Sequence, residues 1–285
     1  MSLARKIKNA IAHLRGRLSG TYYAEDFVRV YPDGTVYDRD GKPGSASQND
    51  INNYLNHRKF YLFVAQFVKG ASVADIGCGS GYGCAMLKDA GASRVCGADL
   101  SEQALGYARE RYGNRAEFSM QGITDLREFP DGGFGVTISS EVLEHIKEYG
   151  KEDQAIEELK RITRPGGLVI LGTPNSELLG KHGFSFEEID GLMKRHFKRY
   201  RIFENALLPS GKNRRLWEER LAAGRTGVIV TEKINLKETV LLSPEPPEIK
   251  RGVEVGVYDF EGRKIDTSLL HNTHSWVVIA VKDNA

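Results

Sequence analysis

Val73-Ala-Asp-Ile-Gly-Cys-Gly-Ser-Gly-Tyr-Gly83 is a short apolar run that enters a loop with glycine at every second position. A second apolar run, Val95-Cys-Gly-Ala-Asp-Leu-Ser101, follows it and contains Asp99. Glycine is used where the backbone turns sharply or approaches a ligand closely, because it has no Cβ to clash. A carboxylate at the end of the next strand can bind the two hydroxyls of a ribose. Together the two stretches predict a pocket for a nucleoside cofactor.

The spacing of these glycines can be compared with two common sequence patterns for cofactor binding. The dinucleotide fingerprint is G-x-G-x-x-G, but its sixth position is Tyr82 when counted from Gly77 and Cys84 when counted from Gly79. A P-loop needs Gly-Lys-Ser/Thr after its glycines, and this chain has no such sequence there. The observed pattern is Asp-x-Gly-x-Gly-x-Gly, with Asp75 inside the end of the first strand. The loop therefore fits neither phosphate-binding pattern.

Strands and helices alternate along the chain at a spacing typical of a parallel sheet with helices on both faces. The predicted elements are a helix from Asp50 to about Val68, a strand, loop and helix over 72–90, a strand near 94–98, a helix capped by Ser101, strands near 116–120 and 135–139, a helix near 152–163, a strand over 168–171, a helix started by Ser185, and strands over 196–203 and 275–281. Ligands of such sheets bind beyond the carboxyl ends of the strands, where the strand order reverses.

Several further motifs fall beside these strands: Gly81-Tyr-Gly83, Glu141-Val-Leu-Glu-His145 and Thr173-Pro-Asn175 follow strands, and Arg164-Pro-Gly-Gly167 precedes one. With the glycine loop, they resemble the motifs of class I S-adenosylmethionine-dependent methyltransferases that act on quinones, sugars and glycans. The resemblance covers roughly residues 50–204 and 274–282. It implies an α/β, Rossmann-like doubly wound sheet of seven strands, mostly parallel, with strand seven antiparallel between strands five and six.

The same resemblance implies a cofactor, S-adenosyl-L-methionine, and a product, S-adenosyl-L-homocysteine. It implies methyl transfer by in-line displacement to a hydroxyl of a sugar, glycan or secondary metabolite. The residues it places around the cofactor are Tyr61, Asp75, Gly77, Cys78, Gly79, Gly81, Tyr82, Asp99, Leu100, Gly122, Ile123, Ser140 and Glu141.

This chain departs from the family pattern in three places. The family usually has an acid near Ile123 that binds the adenine amino group, whereas here Asp125 comes two residues later. Its usual Phe-Asp before strand four is Phe134-Gly135, and the Arg-Tyr of many glycan-type members is Phe60-Tyr61. We expect cofactor binding to survive these changes and the adenine contact to differ.

His145 is the candidate catalytic residue, because a hydroxyl acceptor needs its proton removed. An unperturbed histidine has a pKa of about 6.5, which suits a general base near neutral pH. His145 lies just past strand four, where the acceptor should approach the methyl group. A histidine there could instead bond the backbone or orient its helix, so the sequence leaves both roles open.

Two other functions also stay open from the sequence. Glu141-x-x-Glu144-His145 with His182 resembles the metal site of small-RNA 2′-O-methyltransferases, where a divalent cation binds a ribose diol and lowers the pKa of a hydroxyl. Glu-x-x-Glu-His is also widespread in members that hold no metal, and we assign no metal ligand. The second alternative is a methyltransferase fold retained as a non-catalytic regulatory subunit, although the intact glycines and Asp99 speak against it.

Composition is that of an ordinary globular protein: 285 residues, 40% hydrophobic and 27% charged, with a net charge of +2. This charge gives no overall nucleic-acid signature. Cys78, Cys84 and Cys96 are interpreted as small buried residues in a reducing compartment. We find no signal peptide and no apolar run of the about 18 residues that a membrane span needs. We therefore expect a cytoplasmic protein with a small-molecule or glycan acceptor.

The chain divides into three predicted parts. Residues 1–49 form an arm with a basic amphipathic helix, a hairpin and a turn-rich linker over 41–47; the methyltransferase domain takes 50–204 and 274–285; and 205–273 is an inserted, β-rich lid or cap between strands six and seven. The helix over residues 3–18 is interpreted as packing on its own domain or on a second copy in a homodimer. Contact with a membrane surface is the alternative for this helix.

Overall fold

The computed structural model describes residues 29–30, 35–37, 43–45, 48–176, 182–204, 257–258, 264–265 and 275–283. Strands β1 (Arg29–Val30), β2 (Thr35–Tyr37) and β3 (Pro43–Ser45) form a small antiparallel sheet. The β1–β2 pair confirms the predicted hairpin. The linker expected over 41–47 is in part a strand, because β3 pairs with β2 along its length. The basic helix predicted for residues 3–18 lies outside the described residues.

The remaining elements follow in the predicted alternation. The helices are α1 (Gln48–Val64), α2 (Tyr82–Asp89), α3 (Glu102–Tyr112), α4 (Leu143–Lys147), α5 (Glu152–Ile162) and α6 (Phe186–His196). The strands are β4 (Ser72–Ile76), β5 (Arg94–Asp99), β6 (Glu117–Met120), β7 (Phe134–Ser140), β8 (Thr163–Pro174), β9 (Arg199–Glu204), β10 (Val257–Tyr258), β11 (Lys264–Ile265) and β12 (Ser275–Val281).

Helix caps follow the sequence signals in two of three cases. The side chains of Ser101 and Ser185 each accept a hydrogen bond from a backbone N–H of the helix that they precede, α3 and α6. Such bonds satisfy amide donors that have no partner inside the helix. The helix that was predicted to start at Asp50 already begins at Gln48, close behind β3, so Asp50 lies within it.

Seven strands of the described chain form one sheet in the order β6-β5-β4-β7-β8-β12-β9. The first five pair in parallel, and β12 lies antiparallel between β8 and β9. This confirms the predicted doubly wound sheet with an antiparallel strand seven. The direction of strand order reverses between β4 and β7, so a crevice opens beyond their carboxyl ends. Gly77 and Glu141, which directly follow these strands, lie at that switch point.

Alternate residues of a strand face opposite sides of a sheet, and here they build two apolar cores. On one face, Ala74 of β4 and Trp276 and Val278 of β12 belong to a buried cluster with α4, α5 and α6. On the other face, Val73 and Val277 belong to a cluster with α1, α2 and α3. Helices therefore cover both faces of the sheet, as the alternation predicted, and its carboxyl edge is left for the site.

Strand β8 is longer than predicted. It begins at Thr163, whereas the sequence placed its start at Leu168, beyond the Pro-Gly-Gly turn signal. Thr163 pairs with Phe134 of β7, and a register shift separates this pair from the regular ladder. A Cβ on Gly167 would lie 2.8 Å from the carbonyl oxygen of Gly135. The glycines therefore let the strand continue through an irregular, closely packed stretch instead of ending it.

The sixth sheet strand starts later than predicted. His196 was expected to open it, but His196 is the last residue of α6, and the strand β9 begins at Arg199. The ring nitrogens of His196 lie 2.7 Å from a carboxylate oxygen of Glu157 and 2.6 Å from one of Asp153, both on α5. These contacts hold His196 on the helical side of the boundary.

Part of the predicted insertion between strands six and seven is described. Strands β10 and β11 pair antiparallel within it. Its sequence has strand-like runs at 227–231, 239–242 and 253–258; β10 lies in the last of them, and the first two lie outside the described residues. Glu204, which ends β9, pairs with Trp276 near the start of β12, so the segment leaves and re-enters the sheet at the carboxyl edge. None of the helices in the described ranges is long and apolar enough to cross a membrane.

Candidate active site

The glycine loop joins β4 to α2 and depends on left-handed backbone. Gly77, Gly79 and Gly81 have φ angles of +82°, +54° and +79°, which L side chains rarely adopt. A Cβ on Gly77 would lie 2.2 Å from Cγ2 of Val142, so the segment after β7 packs directly on the loop. A Cβ on Gly79 would meet no atom within 4 Å. The loop is therefore packed at Gly77 and faces open space at Gly79.

Asp99 lies on the other side of this space, at the end of β5. Its Oδ2 accepts a hydrogen bond from the Gly79 amide at 2.8 Å, and its Oδ1 accepts one from the Ser101 amide at 2.9 Å. An ionised carboxylate has about four acceptor positions. The group can therefore bind the two hydroxyls of a ribose while it keeps both backbone bonds. The structure thus brings the predicted ribose-binding acid against the predicted loop.

Two exposed apolar side chains border Asp99. Leu100 is 42% exposed and Met120 is 57% exposed, and Leu62 is the only other large hydrophobic residue with comparable exposure in the described part of the chain. Met120 pairs with Asp99 across the sheet, and a Cβ on Gly122 would lie 3.2 Å from Cδ2 of Leu100. Exposed apolar surface in such a position is typical of a ligand site. Sequence reasoning missed Met120, although its place at the end of a predicted strand was an available signal.

Ile123 and Asp125 do not offer a carboxylate to this surface. Ile123 is buried in the core together with Leu126 and Phe129. Asp125 is at the surface, where Nε of Arg127 donates to its Oδ1 at 2.9 Å. That hydrogen bond holds the pKa of Asp125 below its usual range. Neither residue therefore supplies the acid that the family places near residue 123.

Asp75 is fully buried beneath the loop. The Tyr61 hydroxyl donates to its Oδ2 at 3.0 Å, and the Cys84 thiol donates to the same atom at 3.4 Å. The other oxygen, Oδ1, has no hydrogen-bond partner among the described residues. Burial raises the pKa of Asp75 to about 7, and the two hydrogen bonds oppose that rise. Sequence reasoning named Tyr61 as a cofactor contact but missed its bond to Asp75 and the part played by Cys84.

Two more predicted site residues form the floor of the loop. Cys78 is buried, and its amide donates to the carbonyl oxygen of Ala98 at 3.0 Å. Tyr82 opens α2, and its ring lies edge-on to the rings of Tyr61 and Tyr54, with centroids 5.6 and 5.0 Å away. All three cysteines are free and buried, as predicted. These contacts fix the loop between α1 and β5.

Glu141 and Ser140 lie where β7 ends. Glu141 has a φ of 56°, an unusual angle for a residue with a side chain. Its amide donates to the Gly172 carbonyl at 2.8 Å, and its Oε1 accepts a hydrogen bond from the Ser275 hydroxyl at 3.1 Å. Burial raises the pKa of Glu141 above its usual range. Strained backbone held by neighbouring strands is concentrated at functional sites, and this residue borders the switch point.

His145 lies on the short helix α4, and its side chain is 21% exposed. Its ring centroid is 5.2 Å from that of His182, and its Nε2 is 3.8 Å from Oε1 of Glu144. Glu144 is buried and accepts a hydrogen bond from the Thr173 hydroxyl at 3.0 Å. One ligand atom from each of Glu144, His145 and His182 lies within 4.8 Å of the others, a group that does not include Glu141. The structure therefore brings together three of the four residues of the predicted metal alternative.

A left-handed glycine loop with a carboxylate and an apolar border beside it, at the carboxyl edge of a doubly wound sheet, is the arrangement of a nucleoside-cofactor site in a Rossmann-like domain. Residues 74–171 match the family described as methyltransferase domain. The chain is 32% identical over 133 residues to a "probable S-adenosylmethionine-dependent methyltransferase" of Mycolicibacterium smegmatis, which covers 47% of this chain and 49% of that protein. It is 31% identical over 202 residues to malonyl-[acyl-carrier protein] O-methyltransferase of Serratia marcescens. This match covers 71% of this chain and 64% of that protein.

This chain also matches a solved structure, that of magnesium protoporphyrin IX methyltransferase from Synechocystis PCC 6803 with bound S-adenosylhomocysteine. The two chains match with a TM-score of 0.44 and 22% sequence identity, and the match covers 53% of this chain and 78% of that one. The chain spans about half the length of most curated relatives that it matches. It carries a class I S-adenosylmethionine-dependent methyltransferase domain, and S-adenosylmethionine is the cofactor of this domain. Oδ1 of Asp75, which is buried without a partner among the described residues, and the open side of Gly79 fit a positively charged cofactor without phosphate.

Proposed function

We propose that this protein transfers the methyl group of S-adenosylmethionine to a hydroxyl of a small molecule or glycan, such as a sugar or a secondary metabolite. The observation that carries the proposal is the Asp99 carboxylate, which faces the open loop and is hydrogen-bonded to the Gly79 amide at 2.8 Å. A relative named for O-methylation, the Serratia protein, supports an oxygen acceptor. The family match supports methyl transfer itself.

The chain's own residues supply binding and orientation. Asp99 would hold the ribose hydroxyls, Leu100 and Met120 would cover the base, and the buried Asp75 would offset positive charge at the loop. When bound, the cofactor supplies a methyl group that its sulfonium already activates. Holding two reactants in line accounts for roughly 7–11 kcal/mol of barrier reduction in well-oriented reactions. Positioning by these residues is therefore the main contribution that we assign to the protein.

We assign proton removal from the acceptor hydroxyl to His145. Its side chain is partly exposed at the carboxyl edge of the sheet, so an acceptor can reach it. Glu144, 3.8 Å away, would stabilise the ring once it carries a proton. Glu144 is itself fixed by its hydrogen bond from Thr173. A general base oriented by a second group in this way is a common catalytic arrangement.

His145→Ala is expected to lower kcat about 10²- to 10⁴-fold, the usual contribution of a positioned base. The dissociation constant for S-adenosylhomocysteine should stay unchanged, because Asp99 and the glycine loop are intact. The acceptor is first identified by incubating the protein with S-adenosylmethionine and hydroxyl-bearing candidates and finding the methylated product by mass spectrometry. His196→Ala is the control, since that histidine is held by Asp153 and Glu157 away from the site. A His145→Ala enzyme with the wild-type kcat would exclude the base role.

A metal-assisted form of this reaction is the second candidate, favoured by the grouping of Glu144, His145 and His182. One carboxylate and two imidazoles suit a cation such as Mn²⁺ or Zn²⁺, and a cation there would lower the pKa of the acceptor hydroxyl. If His145 acts alone, we expect EDTA treatment and His182→Ala to leave the rate unchanged. Loss of activity in both experiments, with recovery of the chelated wild type on addition of Mn²⁺, would favour the metal form.

A further inference from the structure

Two buried donors meet beneath the glycine loop at one oxygen atom. Tyr61 of α1 and Cys84 of α2 both donate to Oδ2 of Asp75, at 3.0 and 3.4 Å. A Cβ on Gly83 would lie 2.1 Å from Cζ of Tyr61, so the ring is packed tightly against α2 and its hydroxyl is held in place. Oδ1 of the same carboxyl is buried and has no partner in the described part of the chain. The two oxygens of Asp75 therefore have different surroundings: Oδ2 accepts two hydrogen bonds, and Oδ1 accepts none from the described residues.

The groups that face Asp75 do not balance a negative charge. They are Tyr61 from α1, Cys84 from α2 and Asp99 from β5, with Cys78 of the loop and Tyr82 of α2 behind the first two. Burial and the nearby Asp75 charge raise the pKa of Tyr61. A hydrogen bond with Cys78 and burial raise the pKa of Cys84. Both donors therefore stay neutral, Asp99 is a second acid, and no basic side chain is among the described groups that act on Asp75.

A protonated carboxyl group fits this pattern better than an ionised one, because burying a neutral group that lacks a partner costs less than burying a charge that lacks one. In a carboxylic acid one oxygen is a carbonyl with two acceptor positions, and the other carries the proton. Oδ2 accepts two hydrogen bonds and Oδ1 accepts none. Leaving an ionised carboxylate buried with one oxygen unpaired is costly, and burial raises the pKa of Asp75 to about 7. Without a cation nearby, the group therefore holds a proton at neutral to acidic pH.

We propose that Tyr61 is a positioning residue that acts on the cofactor through Asp75, which carries a proton in the cofactor-free protein and releases it when the positively charged cofactor binds. The inference rests on the proposed function. A nearby cation favours the charged form of an acid. The Tyr61 hydroxyl favours the same form, since a donor bonds a carboxylate more strongly than a neutral acid. Cofactor binding and protonation of Asp75 then compete as the pH falls.

Calorimetric titration of the wild-type protein with S-adenosylmethionine tests the linkage without any methyl acceptor. Titrations in two buffers with different ionisation enthalpies count the protons released. We expect release of about one proton per cofactor near pH 6, and a dissociation constant that rises up to about tenfold for each pH unit below 7. A constant independent of pH, with no proton release, would overturn the inference and leave the proposed function intact. Failure to bind at any pH would overturn both.

Tyr61→Phe tests the positioning role. Loss of the hydroxyl raises the pKa of Asp75 further, so the variant should bind S-adenosylmethionine about tenfold more weakly than wild type near pH 6, with the ratio approaching one near pH 8.5. A merely structural role would give the same ratio at every pH. Tyr200→Phe is the matched control, because it removes another buried tyrosine-to-aspartate bond, of 2.6 Å to Asp190. If Tyr61→Phe fails to fold, proton release by the wild type still decides the linkage.

Discussion

Replacement of Asp99 by alanine is expected to weaken binding of S-adenosylhomocysteine about 10²- to 10⁴-fold. The carboxylate is hydrogen-bonded to the loop at its open side, and it would accept hydrogen bonds from two ribose hydroxyls. Each hydrogen bond to a charged group contributes about 1.5–3 kcal/mol, and each 1.4 kcal/mol is about tenfold in affinity. Isothermal calorimetry or a thermal-shift titration measures the loss.

Asp99 also anchors the backbone, so a control has to separate binding from folding. Its oxygens hold the amides of Gly79 and Ser101, and their loss should lower the thermal midpoint of the unliganded protein modestly. Asp99→Asn keeps the shape and one acceptor oxygen and should fall between wild type and alanine in affinity. Asp125→Asn should bind as wild type does, because that carboxylate pairs with Arg127 at the surface. Equal affinities for all variants would contradict the assigned ribose site.

Gly81→Ala is expected to give a large loss of stability, a decrease of about 2–5 kcal/mol in the free energy of unfolding. Alanine would have to adopt a φ of +79°, a left-handed conformation that costs roughly 1–2 kcal/mol. Its Cβ would lie 2.7 Å from Cβ of Ala108 and 2.9 Å from the ring of Phe118. Overpacking of that kind costs about 1–3 kcal/mol more. Urea unfolding followed by circular dichroism gives the change directly.

Two glycine variants serve as controls for Gly81. Gly106→Ala, in helix α3, would place its Cβ with no atom within 4 Å, and should stabilise the protein by about 0.5–1 kcal/mol, the helical preference of alanine over glycine. Gly79→Ala shares the left-handed backbone but has open space around its Cβ. It should fold with a smaller loss and bind the cofactor poorly, since its methyl group enters the binding space. A Gly81→Ala protein as stable as wild type would show that the loop tolerates a side chain there.

Much of the fold was readable from the chain because its signals are local. The glycine loop, the alternation of strands and helices, and the caps at Ser101 and Ser185 each depend on residues a few positions apart. Strand seven was predicted at 275–281 and is found there. The errors are the strand β3, which lies in the expected linker, and several element ends. His196 stays on α6 because carboxylates of another helix hold it, and β8 starts early because it pairs with β7.

The site could be predicted from the sequence only in part, because local sequence signals do not show which distant residues come together. The sequence named Asp75, Asp99 and His145, since each stands at a recognisable distance from a strand end. It could not show that Met120 lies beside Asp99, because that depends on the register between β5 and β6. Nor could it show that Ile123 turns into the core.

What the sequence by itself determined is the kind of domain: a doubly wound sheet with a glycine loop after one strand and an acid at the end of the next. Tertiary structure alone decided which side chains act together there. The Tyr61 hydroxyl reaches Asp75, the ring of His182 comes to His145, and Ser275 of the last strand bonds Glu141. Hydrophobic periodicity fixes elements locally, whereas contacts between residues far apart in the chain depend on sheet register and helix packing, which no single stretch of sequence encodes.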